Sequence, residues 1–385
     1  MSGIYLHIPF CKQACSYCDF YFVTRQNQRS AFVDALLQEI RSYRGTDFTN
    51  EPVRTIYFGG GTPSLLKPAQ IESILSAIRR TFSVEAEEIT LEMNPDDVSA
   101  GYLADLKKAG INRASMGVQT FQPELLKFMN RAHSRQEALR CLELLSGTGF
   151  DSFTVDLIYG NPGQSMDQLS EDLDLLLDFD PPHVSAYSLT VEPKTRLGKQ
   201  VELGRITPPE DDTVAEHFEL INERLSAEDI HRYEVSNYSR PGAEAVHNSN
   251  YWRHENYLGF GPGAHSFWWD EQPCRWKNAS DLGAYLQGTG GENDREQLTM
   301  NQLAEERIMM GLRTREGLSI RMLNDMYNYR LNKAQKDYLN RQEQKNMLQF
   351  GEKIRLTNKG ILLADAITLD LLTLHEKSEQ NTDPA

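Results

Sequence analysis

The 385-residue sequence contains no apolar run near the roughly 20 residues a membrane-spanning helix needs, and its N-terminus lacks the basic and apolar segments of a secretion signal. Together these absences lead to the expectation of a cytoplasmic protein with at most peripheral membrane contact. Basic residues are in the minority, with 40 Lys and Arg against 55 Asp and Glu, so the formal net charge is −15. Such a surface repels phosphate backbones, and nucleic acid is not an expected partner. Cysteines number five, an odd total, and three of them fall between residues 11 and 18. That is no evenly paired disulfide framework; it points to reduced thiolates on a metal ion or a cluster.

In place of internal repeats there is alternation. Short β-branched or aromatic runs are each followed by a helical pattern: IYLHIP by SAFVDALLQEIRSY, RTIYF by AQIESILSAIRRTF, EITLEM by AGYLADLKKAG, and RASMGVQ by QEALRCLELLSG. SFTVDLIYG before MDQLSEDLDLLLDF and then HVSAYSLT complete six units. A βα series of this kind predicts a parallel sheet with right-handed crossovers, either doubly wound or curled into a full or partial barrel.

Alternate side chains of a strand share a face, and the faces decide between these forms. Tyr5 and His7 oppose Ile4, Leu6 and Ile8; Glu92 and Asn94 oppose Leu91 and Met93. Ser115 and Gln119 oppose Ala114, Met116 and Val118, while Thr154 and Asp156 oppose Val155 and Leu157. One face suits an outer helix layer, and the other carries isolated polar groups that would meet in a lumen. A buried carboxylate such as Glu92 or Asp156 needs a cation, donors or a polar ligand. The reading is a barrel-like sheet with a ligand inside. Its loops of interest, including GGGTPS (59–64), NPDD (94–97), YGNPGQ (159–164) and TVEP (190–193), all follow the C-terminal ends of strands, where such folds place their sites.

Three cysteines in CKQACSYC admit two chemistries. Structural zinc would need a fourth ligand, with His7 or Asp19 nearby. A four-iron cluster held by three thiolates would keep one iron open to an outside ligand. Cys141 lies in a helical pattern and reads as core.

CKQACSYC resembles the CxxxCxxC motif of radical S-adenosylmethionine (SAM) proteins, and GGGTP behind the second strand strengthens the likeness. YLHIPFCKQACSYCDF, IYFGGGTPSLL, LEMNP, SMGVQTF, VDLIYGNPGQS and HNSNYW are similar to the branch containing oxygen-independent coproporphyrinogen III oxidases and HemW-type haem chaperones. The resemblance implies a partial (β/α)6 radical-SAM barrel with a smaller α+β, winged-helix-like C-terminal domain. It further implies a 4Fe-4S cluster on Cys11, Cys15 and Cys18, with SAM on the open iron, and SAM contacts from Tyr5, Tyr17, Gly61, Thr62, Glu92, Gln119, Arg131 and Asp156. The oxidase motif continues to CxxxCxxCxC, but here the last position is Phe20. That departure, with HNSNYW, implies a chaperone that binds haem and delivers it to respiratory apo-haemoproteins, without coproporphyrinogen decarboxylation. An electron donor for the cluster is the other implied partner, and a homodimer is compatible. Whether SAM is cleaved, and hence whether the chain is an enzyme, stays open.

The remaining boundaries follow composition. Residues 1–190 form the barrel and 191–298 an extension whose HNSNYW stretch reads as an aromatic, glycine-rich loop. Within it His247, Asn248, Tyr251 and Trp252 are the haem candidates, with His247 either an iron ligand or a hydrogen-bonded structural histidine. His254, His265 and Cys274 are rivals as iron ligands. Residues 299–373 read as a winged-helix-like module for covering or docking, and 374–385 as a disordered tail.

Overall fold

In the computed structural model residues 2–380 are described, with side chains as far as residue 375. Six strands, β1 (Ser2–Ile8), β2 (Val53–Gly60), β3 (Val84–Met93), β4 (Arg113–Gln119), β5 (Ser152–Tyr159) and β6 (His183–Ser188), lie in sequence order and pair in parallel. The register sets Tyr5 beside Tyr57 and Gly117 beside Asp156, so polar residues of successive strands fall on one face. Ile4, Leu6, Ile8, Ile56, Phe58, Leu91, Met93, Met116, Val118 and Val155 form the opposite face, buried with Leu36, Ile74, Leu103, Leu142 and Leu173 of the helices. Apolar burial on this scale, at roughly 25 cal/mol per Å2, holds the helix layer to the sheet.

The sheet does not stop at six strands. β7 (His231–Arg232) and β8 (Asn237–Ser239) add an antiparallel edge beyond β6. β9 (Asn256–Phe260) pairs in parallel with the free side of β1, followed by antiparallel β10 (His265–Trp268), β11 (Cys274–Asn278) and β12 (Glu292–Gln297). All strands of the 191–298 extension therefore belong to the barrel's own sheet of twelve. β12 reads ENDREQ, and its exposed charges discourage pairing with another chain at that edge.

HNSNYW is not a loop. It lies within the helix Val246–Arg253, whose first N–H groups are capped by a carboxylate from far away in sequence: Glu88 of β3 accepts from the amides of Val246 at 2.8 Å and His247 at 3.0 Å. The stretch reads as a loop because its Asn and Ser residues are poor helix formers and no local side chain caps it.

The C-terminal region packs five helices, from Met300–Leu312 to Ala364–Gln380, around the small antiparallel sheet β13 (Leu318–Ser319), β14 (Leu348–Phe350) and β15 (Lys353–Leu356). It has a core of its own, including Leu303, Ile308, Leu312, Leu339 and Ile354, into which Phe267 of β10 inserts. The expected disordered tail from residue 374 is helical as far as Gln380, because the last helix continues through it, and residues 381–385 lie outside the described ones.

Candidate functional site

Chain geometry forces the cysteine loop back on itself. Phe10 is fully buried edge-on to Phe32 and anchors the exit from β1. Val23 then closes the loop, donating to the carbonyl of Pro9 at 2.6 Å and accepting from the amide of Cys11 at 3.0 Å. On the other side Ser16 N–H donates to Met129, Gln13 to Asn130, and Asn130 back to Ala14. Lys12 pairs with both Asp96, at 2.7 Å, and Asp97 of the NPDD loop. With the backbone so fastened, Cys11, Cys15 and Cys18 line one cavity of about 500 Å3 at the C-terminal ends of the strands. Gly61 makes this possible: a Cβ there would sit 2.8 Å from the carbonyls of Ile8 and Phe10 and 3.0 Å from Cys11 Sγ.

The walls come from the polar faces of β2 to β6. Tyr17, Gly61, Thr62, Glu92, Gln119, Arg131 and Asp156, all expected site residues, line the same cavity, but Tyr5 does not. Tyr5 stacks behind Tyr57, which occupies the wall instead. Gln119 is held at φ 69°, a region that non-glycine residues seldom adopt, next to a shift in the β4–β5 register. Arg131 donates to Asn94 Oδ1 at 2.7 Å and Gly117 O at 2.8 Å, and its Nη1 lies 3.4 Å from Cys15 Sγ. Its Nε is buried without a partner. Glu92 accepts from the Tyr57 hydroxyl at 2.8 Å and from Gly60 N–H at 3.2 Å; Asp156 accepts from Ser115 at 3.0 Å. Sequence reasoning placed Asn94 on the inward face but missed Tyr57, Arg113, Ser185 and Tyr187 as wall residues. Arg113 had a legible signal, since it shares the alternation of Ser115.

Buried carboxylates with no ion-pair partner among the described residues resist ionisation, even with the fields of Arg113 and Arg131 acting on Asp156. Burial, then the Asp156 charge, pushes Glu92 up to about 7, and burial also raises Asp156. A carboxyl whose folded value is raised contributes stability that is fully present below its unfolded value of 4.5 and is lost as pH rises through about 7. The wild-type protein is thus expected to lose roughly 1–3 kcal/mol more than Glu92→Gln between those limits. Urea melts across pH 4.5–8 check this, and parallel curves for the two proteins would show that Glu92 ionises normally.

The haem candidates do not gather at one place. Asn248 lines the large cavity, whereas Trp252 lines a second cavity of about 320 Å3 on the other side of its helix. His247 lies between them, 1% exposed, with Nδ1 2.8 Å from Thr55 Oγ1 and Nε2 2.8 Å from the Tyr251 hydroxyl. Its ring stacks on Tyr57 at 5.0 Å, and burial lowers it to about 3. The open imidazole expected of a loop is therefore closed: the helix sets His247 and Tyr251 one turn apart, on one face. His254 is likewise engaged by Tyr327 and Glu306, and Cys274 is buried beside Arg295. Of these four expected iron ligands only His265 is exposed.

Among the described residues no three His, Cys, Asp or Glu side chains gather around a single ion position. Three soft sulfur donors spread around a cavity mouth do fit a cluster, which distributes its ligands over separate irons. The unpartnered Arg131 Nε and the buried carboxylates of Glu92 and Asp156 fit an amino-acid-bearing ligand beside it. Residues 5–176 match the Radical SAM superfamily, and 298–363 the HemN C-terminal domain. The solved structure of the coproporphyrinogen III oxidase HemN of Escherichia coli has the same fold, with a TM-score of 0.82, 24% identity, and coverage of 97% of this chain and 90% of that one. The heme chaperone HemW of Escherichia coli is 40% identical over 68% of this chain and 69% of its own. That of Bacillus subtilis is 34% identical over 98% of its own length. Because that second likeness extends over 95% of the present sequence, the chain belongs to the HemW family within the radical SAM superfamily.

Proposed function

We propose that the protein is a haem chaperone that holds a four-iron cluster, SAM and haem, and delivers the haem to respiratory haemoproteins. The observation that carries this reading is the joint placement of three cysteines, two buried carboxylates and Arg131 around one cavity whose rim has Phe20 in place of a fourth thiol. Cys11, Cys15 and Cys18 hold three irons of the cluster. A bound cluster supplies a redox-active metal with one open coordination position. Arg131, already tied to Asn94 and Gly117, presents donors to a carboxylate without further ordering. Glu92 and Asp156 receive the hydroxyl or amino groups of SAM, and Gly60 and Tyr57 keep Glu92 aimed inward. Phe20 is 63% exposed and Tyr187 41% exposed at the rim, an apolar and aromatic surface that suits the flat face of a porphyrin. His265, the exposed one among the expected iron ligands, is the ligand we assign, on that exposure and not on a place in the cavity lining.

Coproporphyrinogen decarboxylation is a second reading because HemN shares the fold. Phe20 opposes it, since phenyl carbon offers neither thiolate nor proton where the resembling oxidases carry cysteine. The deciding experiment is an anaerobic haem titration of the reconstituted protein beside a coproporphyrinogen turnover assay with SAM and a reductant. The expected result is a shifted Soret band that His265→Ala alters, with no decarboxylated product. Protoporphyrinogen formation without haem binding would overturn the chaperone reading.

A further inference from the structure

The second cavity, between the helix Val246–Arg253, the β7–β8 hairpin and the end of the helix Met300–Leu312, contains a charge with which no carboxylate of its lining pairs. Arg307 is 6% exposed. One nitrogen, Nη1, donates to the carbonyl of Trp252, but Nε is buried without a partner, and the guanidinium makes no ion pair among the described residues. A helix C-terminal carbonyl offers only part of a negative charge, about half a unit for a whole helix end. An ionised group buried this way is destabilising by several kcal/mol unless an anion meets it. Burial also lowers the Arg307 value, as expected of a cation short of a counter-charge.

The fields of Glu316 and Glu255 reach Arg307, opposed by that of Arg253, but no carboxylate forms an ion pair with it among the described residues. Glu316 lies 3.4 Å from Arg253 and Glu244 lies 3.5 Å from Arg315, both at the exposed margin. Glu234 is 1% exposed, but it is turned toward the amide of Ser236 and the side chain of Asn237, and burial pushes it up to about 7. Trp252 forms part of the wall, so the cationic end of the cavity adjoins an aromatic surface.

We propose that this cavity is a second ligand site, taking an organic carboxylate against Arg307 with the body of the ligand along Trp252. A porphyrin propionate and a small free carboxylate share that chemistry. The site stands on Arg307; only the porphyrin arm of its test rests on the haem reading. Three probes titrated into the reconstituted full chain separate the sources: metal-free protoporphyrin IX, its dimethyl ester, and succinate. Omitting iron removes any contribution from an axial ligand. In Arg307→Gln the amide still has a donor for the Trp252 carbonyl, while the charge is gone. At least one of the two acids is expected to bind this variant tenfold or more weakly than wild type, and the ester is expected to bind both proteins alike. Loss confined to protoporphyrin IX assigns a propionate, and loss confined to succinate assigns a small carboxylate; either supports the site. Arg315→Gln, at the exposed margin, is expected to show a smaller loss of the same acid and serves if Arg307→Gln does not fold. Equal binding of acid and ester by wild type, together with no succinate binding, would overturn the site. So would equal affinities of folded wild-type and Arg307→Gln proteins for both acids. A wild-type Soret shift persisting under those outcomes would leave the haem reading intact.

Discussion

Replacing Cys11, Cys15 or Cys18 with Ala is expected to reduce iron from about four per chain to less than one after anaerobic reconstitution, because each thiolate fixes one iron of the cluster. The protein should stay folded. The loop that presents the three thiols is fastened by protein groups alone, through Val23 to Pro9 and Cys11, Ser16 to Met129, and Lys12 to Asp96 and Asp97. Far-UV circular dichroism should therefore be unchanged while the broad cluster absorbance disappears. Cys141→Ala is the control: its thiol is 2% exposed, faces Met116 at 3.5 Å inside the helix-side core, and does not reach the cavity. Burial leaves Cys11 at about 11 and Cys18 at about 12, so metal must displace thiol protons as the cluster loads. Full iron content in any of the three variants, or stoichiometric zinc in the anaerobically purified wild type, would reject the assignment.

The parts of this site that could be read in sequence are those carried by strand periodicity and local motifs. Asp156 stands out as the one acid of its strand and Glu92 as an acid between the apolar Leu91 and Met93, and both line the cavity. Ile4, Leu6, Ile8, Met116 and Val155 were legible as the opposite face for the same reason, and all are buried in the helix-side core. Long-range partnership was not legible. Nothing near residue 256 announces that β9 will pair in parallel with β1, about 250 residues earlier, because that ladder is specified only once the chain has closed on itself. The cap on HNSNYW is hidden for the same reason: Glu88 sits on β3, and its role as the acceptor for Val246 and His247 exists only in the assembled barrel. Tyr57 lies in an unbroken apolar-aromatic run, so its place on the cavity wall, ahead of Tyr5, depends on strand register rather than on any pattern of its own. A motif thus singled out Cys11, Cys15 and Cys18, which line one cavity, while the surroundings of His247 were set by what the fold placed around it.

The second large effect is expected from His247, as a loss of stability rather than a change at iron. Removing its imidazole leaves the Tyr251 hydroxyl without its partner at 2.8 Å, leaves the Thr55 hydroxyl only the 3.4 Å contact from Asn250, and takes away the ring stacked on Tyr57. An orphaned buried polar group is destabilising by about 1–3 kcal/mol, and the vacated volume adds to it. His247→Ala should accordingly lose roughly 3–5 kcal/mol, a large share of the roughly 5–15 kcal/mol that holds a domain folded. Denaturant melts of the wild type and variant measure the difference. Thr55→Val separates the hydrogen bond from simple cavity formation, because the two residues share one contact: the double variant should be less destabilised than the sum of the single ones by about 0.5–3 kcal/mol. At temperatures where His247→Ala remains folded, its Soret spectrum with haem should match the wild type, since neither ring nitrogen is open to iron. An unchanged melt accompanied by an altered Soret band would mean that the helix opens when haem binds and that His247 is an iron ligand after all.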